Sequence, residues 1–520
     1  MKNSYHTFRS LNLIVFLSFL HFSFSYAQNK IDSVKNIQYV EDWGLKLNYD
    51  YFTTNRVWTR EAVKNRFNNI DIQGIFDKGS LIEAQGASQI KQLNVKTEGK
   101  IDFDRLSVWG RFRYIRSMED STQLRHQTRN NLDAPVYFGS LRKNYYERDI
   151  YEINGSARYD FLNGKLPVGI SFDYHLGNHF SNNDPRGRVA DFQFDNRLFI
   201  RYKFENWDVY LTGLYGYGRE RVGVGYKNDK NLNNTSDPLY INWYMNGFGR
   251  SIMRVRDMNY NDDFRKYGVG FMASRRFDSG ILVYSKLEYI HEKQAFKFYD
   301  SSPKTYKMLN EYNRNSLMGD ILLSRSNQNS PYYSSYRLNF DITRGEDYNY
   351  EIYGNNYVFQ QQVVDLSAVQ HFGQAQIEFG LGYDSKSYQD GSTGIQLDYQ
   401  NLNPKIKLGY LLHLAENQSM IPNLGFGIGK NLTNTFNYPT ISPGAYTDAI
   451  ILANYQYYTT TNLQYNLGLD YQIKEIQGYS YRIGLQADYV RRNDQNTNSP
   501  YYIAIGRDRL NTRLNLSVYF

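Results

Sequence analysis

The chain has 520 residues, no Cys, 50 Tyr, 31 Phe and 11 Pro, with 17% aromatics and a mean hydropathy of −0.64. In a soluble protein that many rings would have to fill a core, and the composition is too polar to build one of that size. The formal charge is +8, but Lys and Arg alternate with Asp and Glu along the whole chain and form no basic block, which argues against a nucleic-acid partner.

Residues 1–27 read as a cleaved signal peptide. Lys2 and Arg9 supply a positive start, residues 11–24 an apolar run, and Ser25-Tyr26-Ala27 the small residues that a signal peptidase needs. The run is too short to span a bilayer comfortably, and no later stretch approaches a spanning helix, so membrane residence has to use strands. Residues 28–66 are polar, with a short helix expected over 59–67. This segment is expected as a periplasmic tail, with insertion into a lumen as the alternative. It is far smaller than the plug of an energised receptor, and no energy-coupling box follows the cleavage site.

Residues 67–520 read as one domain of alternating strands. Val168, Ile170, Phe172 and Tyr174 alternate with Gly169, Ser171 and Asp173. Ala375, Ile377, Phe379, Leu381 and Tyr383 oppose Gln376, Glu378, Gly380, Gly382 and Asp384, and the same alternation recurs over 465–473 and 482–489. Each stripe is long enough for a tilted membrane strand of about 9–11 residues. A soluble sandwich also alternates, but with shorter strands and less Tyr.

The connections separate these two readings. Tight turns are expected at 104–105, 162–165, 205–206, 278–280, 372–373 and 477–478. Longer polar connections are expected at 119–146, 181–188, 223–261, 298–310, 433–452 and 493–507. Short and long alternate, as in outer-membrane barrels with tight periplasmic turns and extended outer loops. The expected fold is all-β: a transmembrane antiparallel up-and-down β-barrel of about 18 strands, with 16 possible because 311–325, 350–371 and 394–412 alternate weakly. The first strand falls near 68–79. Leu510, Thr512, Leu514, Leu516, Val518 and Phe520 share one face of the last.

That last strand resembles the C-terminal signal by which barrel-assembly machinery recognises outer-membrane proteins, carried here by Leu514, Leu516, Val518 and Phe520. Ser181-Asn182-Asn183-Asp184-Pro185-Arg186-Gly187-Arg188, just after a strand, together with the Tyr-rich and Asn-rich character of the chain, is similar to an uncharacterised barrel family of the Bacteroidota. The resemblance implies a bacterial outer-membrane location and fold and implies no activity.

Candidate chemistry is sparse. His175 and His179 share a strand face, but four residues of strand separate them by about 13 Å, too far for one metal unless the strand ends between them; no metal or cofactor is expected. No Ser–His pairing for nucleophilic catalysis can be singled out, so no enzyme is expected. Gly213, Gly216, Gly218, Gly223 and Gly225 precede no helix that could cradle phosphate, and read as strand glycines. The expected inner face carries Arg111, Arg113, Glu378, Asp384, Asp470, Arg482, Asp488 and Arg513, charges of mixed sign. The expected function is a porin-like channel for small hydrophilic solutes, with Trp243, Tyr244 and Met245 in a candidate constriction. The alternatives are a non-conducting barrel that docks another outer-membrane transporter or a surface lipoprotein and, less favoured, an outer-membrane hydrolase. Lipid and the assembly machinery are the remaining expected partners.

Overall fold

The computed structural model describes residues 43–520 except 59–66, 127–132, 165, 233–235, 255–257, 301–303, 327–331, 440–443, 477 and 495–503. The expected leader and the expected helix at 59–66 lie outside the described residues; Phe67, the last residue of that helix, opens a strand instead.

The strands run in chain order: β1 (Phe67–Gly79), β2 (Gln89–Asp102), β3 (Leu106–Thr122), β4 (Val136–Gly139), β5 (Asn144–Phe161), β6 (Leu166–Ser181), β7 (Arg186–Phe204), β8 (Trp207–Gly225), β9 (Asn242–Asn246), β10 (Ser251–Arg254) and β11 (Met258–Arg276). There follow β12 (Ile281–Asp300), β13 (Thr305–Ser326), β14 (Tyr332–Asn349), β15 (Tyr357–Phe372), β16 (Ala375–Asp390), β17 (Gln396–Tyr410), β18 (Leu412–Ala415), β19 (Gln418–Asn437), β20 (Asn462–Ile476), β21 (Tyr479–Arg492) and β22 (Asp508–Tyr519). Two helices matter to the site, α1 (Trp43–Thr54) and α2 (Ala445–Tyr458).

Among the described residues one sheet counts 19 strands, all paired antiparallel with their neighbours. Because β18 continues β17 past Leu411, the wall has 18 staves. The sheet closes on itself: β1 pairs with β22 from Asn69 opposite Tyr519 to Gly79 opposite Arg509. Closure leaves no open edge, the condition for a sheet to cross lipid. The strand count and the closing pair are those read from the alternation.

Side-chain direction follows the period of two. Leu198, Leu424, Leu467 and Val269 are each more than 60% exposed on the outer wall. A contiguous apolar band of this kind is what a barrel presents to lipid. Inside, Glu288, Gln294, Asn310 and Asp320 are buried.

The tight turns sit where the sequence places them. Leu162 and Glu205 take positive φ there, as do Gly164, Gly280, Gly373 and Gly478. Two expected long connections are corrected. In 298–310, β12 runs on to Asp300 and β13 starts at Thr305, so the hairpin extends past the apolar band with Tyr299 and Tyr306 ring against ring at 5.3 Å. A strand beyond lipid has no apolar stripe to mark it, so its sequence reads as loop. In 433–452, β19 reaches Asn437 and α2 begins at Ala445. The connections at 119–146 and 223–261 contribute β4, β9 and β10, a second sheet of order β10-β9-β4.

Candidate functional site in the barrel lumen

The lumen is entered by the chain's own N-terminal segment. In α1, Asn48, Tyr51 and Phe52 recur at helical spacing and share one face, which Asn55 continues just past the helix end. Tyr51, Phe52, Val57 and Trp58 pack against the inward side chains Phe199, Tyr210, Met272, Tyr284 and Leu322. Trp58 meets Tyr210 edge-on at 4.5 Å and Tyr284 at 5.1 Å, and both Trp58 and Tyr51 are fully buried.

Polar contacts surround this aromatic anchor. Asn48 donates to Ser324 Oγ at 3.1 Å and accepts from Ser335 at 2.6 Å, while Asn55 donates to Asp320 at 2.7 Å. Arg337 donates to both oxygens of the same carboxylate, at 2.9 and 2.8 Å. On the opposite wall, Arg56 donates to the Phe172 carbonyl at 2.9 Å, pairs with Asp173 and lies over the Trp109 ring at 5.5 Å. The segment thus bridges β3 and β6 to β13 and β14. Of the two placements read for residues 28–66, the described part, 43–58, takes the lumen. The Asn48–Tyr51–Asn55 spacing was the one sequence signal for it.

The charged residues picked from the sequence stand in inward registers, and most meet a partner across or along the strands. Arg111 donates to Asn154 at 2.9 Å. Arg113 lies 2.6 Å from Glu152, Arg482 3.0 Å from Asp470, Arg513 3.3 Å from Asp488, and Asp384 3.8 Å from Lys386. Glu378 stands in register between Val369 of β15 and Lys407 of β17. Opposite signs alternate, so these residues form no ring of one charge.

His175 and His179 diverge. His175 Nε2 lies 2.8 Å from Asp191 and its Nδ1 3.8 Å from Glu152, whereas His179 is buried with its ring 4.7 Å from that of Tyr146. Among the described residues no group of three or more His, Asp or Glu could hold a metal. Sequence reading missed the buried Glu288, paired with Arg197 at 3.0 Å and Lys286 at 2.9 Å, and the half-buried Lys266 between Asp195 and Glu292. Their inward period was legible, but nothing local marked them as buried.

The far end is capped by folded connections. Trp243, Tyr244 and Met245, read as a constriction, lie in β9; Tyr244 and Met245 are buried, and the Trp243 ring stacks on Tyr446 of α2 at 5.9 Å. Tyr446 donates to the Leu124 carbonyl at 2.7 Å, and the Ala84 N–H to Asn454 at 2.9 Å. These contacts join α2 to the connections after β1 and β3.

The Ser181–Arg188 stretch ties the cap to the wall. The Asp184 carboxylate accepts from the N–H groups of Lys227 at 2.9 Å and Asn228 at 3.0 Å and from Asn231 Nδ2 at 3.1 Å. Burial works to raise this carboxyl, but those donors outweigh it and hold it below its usual range. Gly187 leaves room for His126, whose Nδ1 would lie 2.8 Å from a Cβ at that position. His126 Nδ1 is 2.7 Å from Tyr146 Oη, and burial pushes the imidazole down to about 4.

No curated protein matches this sequence. Among solved structures, the chain is similar to the siderophore receptor PiuA from Acinetobacter baumannii (8% identity, 88% of this chain and 82% of that one, TM-score 0.43). It is also similar to the copper transporter OprC (7%, 86% and 80%, TM-score 0.40) and to OccAB2 of Acinetobacter baumannii (9%, 88% and 98%, TM-score 0.35). Likenesses this remote carry no argument about what passes through the barrel. One family model matches residues 57–520, from the lumen turn at Val57 through the whole wall, and the chain belongs to that family, described as a family of unknown function (DUF6850).

Proposed function

We propose that this protein is a gated passage for small hydrophilic solutes in the outer membrane of a Gram-negative bacterium, exported by residues 1–27. The observation that carries the reading is Trp58, fully buried among Tyr210, Tyr284 and Val57 inside the wall. An open porin would leave such a ring in water. Beside this anchor, Arg113, His175, Asp384, Asp488 and Arg513 remain partly exposed on inward registers, a polar surface suited to a hydrated path.

Planar-bilayer recording tests the reading. The intact chain is expected to show no steady conductance, and a folded variant lacking residues 43–58 to show stepwise openings. Large steady currents from the intact chain would overturn the gate; silence from the folded deletion variant would overturn the passage.

The second reading is a non-conducting barrel that docks a transporter or surface lipoprotein. It is favoured by the exposed apolar side chains on the connections beyond the wall: Tyr353, 81% exposed, with Leu239, Met253 and Ile352. Silence of the deletion variant, together with a second protein held through gentle extraction, is the result that selects it.

A further inference from the structure

The outer wall carries an ordered change of chemistry on one sector. Strand registers give rows of outward side chains across β7, β8, β11, β12 and β13. One row is Ile200, Leu211, Phe271 and Leu287, and the next is Leu198, Gly213, Val269, Tyr289 and Leu317. Toward the long connections follows a row of Asn196, Tyr215, Tyr267 and His291, the aromatic level that marks a membrane boundary.

Basic side chains stand immediately beyond it. Arg265 and Lys293 are register partners, Arg219 faces Asp263, and Arg221 and Lys297 flank Asn261. Arg188 lies one step along β7, opposite Gly223. Six bases against Asp263 and Glu311 leave a net charge of +4 on this sector. Asp263 binds Arg219 and Lys297, and Glu311 lies 2.7 Å from Lys293. Arg188, Arg221 and Arg265 are exposed and make no ion pair among the described residues. Elsewhere beyond the band, Arg116 is held by both Glu147 and Asp149, and Arg344 stands beside Glu346. Exposed bases stand elsewhere on the outer wall too, Lys78, Lys91, Lys430 and Arg491 among them, but not six together on neighbouring strands.

We infer that this sector binds a phosphorylated glycolipid of the outer leaflet, its acyl chains on the Leu198–Val269 rows and its phosphates on Arg188, Arg221 and Arg265. Unpaired guanidinium groups at the headgroup level suit phosphate, which they can grip with two parallel hydrogen bonds. Past the basic rows β12 and β13 project Tyr299 against Tyr306, a ring pair at 5.3 Å, where the sugars of such a lipid would lie. A phospholipid headgroup is too short to reach them, and that favours a glycolipid.

The test measures binding of the detergent-solubilised full chain to diphosphorylated lipid A, to the same lipid stripped of phosphate, and to phosphatidylglycerol. Wild type is expected to prefer the diphosphorylated lipid at least tenfold over both others. R221Q/R265Q is expected to weaken that binding roughly thirtyfold while R344Q leaves it unchanged, given the attraction each basic residue supplies near a charged membrane surface. Folding is checked by the mobility difference between boiled and unboiled samples. The charge-retaining R221K/R265K is expected to stay within a few-fold of wild type. Equal binding of phosphatidylglycerol, no effect of the glutamine pair, or a lysine pair as weak as the glutamine pair would each overturn the site.

Discussion

The Asn55 side-chain amide donates to Asp320 across 2.7 Å although 265 residues separate the two in the chain. Arg337 grips the same carboxylate from β14, so one Asp both pairs two neighbouring strands and forms the socket of the N-terminal segment. A buried carboxylate shared in this way makes docking of the segment sensitive to a single side chain.

Asp320→Ala should therefore loosen residues 43–58. Because the chain has no Cys, Val57→Cys is a clean reporter. Labelling of the buried Cys by a hydrophilic maleimide is expected to be slow in the otherwise unchanged chain and at least tenfold faster with Asp320→Ala. Equal rates would show that Asp320 does not hold the segment.

Trp58→Ala removes the ring between Tyr210 and Tyr284. Deleting a fully buried aromatic side chain typically costs about 3–5 kcal/mol. Here that cost falls on docking of the segment, since the wall is closed independently by β1 and β22. Amide exchange over 43–58 should accelerate by orders of magnitude, while exchange in β1 and β22 stays as it was.

Acid should open the cap. An exposed His126 takes a proton near pH 6.5, whereas the buried imidazole resists it down to about 4. Between those values the opened cap binds more protons than the closed one, so closure weakens as pH falls from about 6.5 towards 4 and is undiminished above. Asp184 acts in the same direction at lower pH: its closed-state value is depressed, so its contribution is present above the ordinary carboxylate range and fades as it protonates. His126→Gln is expected to weaken the upper part of the dependence, which His179, buried beside it and likewise pushed down by burial, shares, and to leave the lower. Amide exchange at Leu124 and Phe138, followed from pH 7 to 4 and corrected for intrinsic rates, reads both.

Leu514 and Asn515 are neighbours on β22 that face opposite media. Leu514 is outward and exposed, with Gly74 and Leu485 as register partners. Leu514→Arg should cost about 2–4 kcal/mol, the range for a cation on the lipid face near the midplane. Asn515→Arg, on the inner wall, should cost far less. Denaturant titrations of refolding into lipid vesicles compare them, and equal midpoints would contradict the assigned faces.

The sequence by itself determined the barrel. Alternation of period two, tight turns and a closing strand are local signals, and the physics that reads them is local: one face meets lipid, the other does not. It also determined that Arg111, Arg113, Asp470 and Arg482 stand on inner registers. The tertiary structure alone decided what occupies the lumen. Asn55 finds Asp320, Arg56 finds Asp173 and Tyr446 finds Leu124 only once closure of the sheet has brought opposite walls and distant connections within reach. Which charges pair likewise waits on register, because a slip of one residue would turn Arg482 from Asp470 towards lipid. The 298–310 hairpin shows the complementary limit: beyond the bilayer a strand has no medium to alternate against, so only its hydrogen-bonded partner marks it as one.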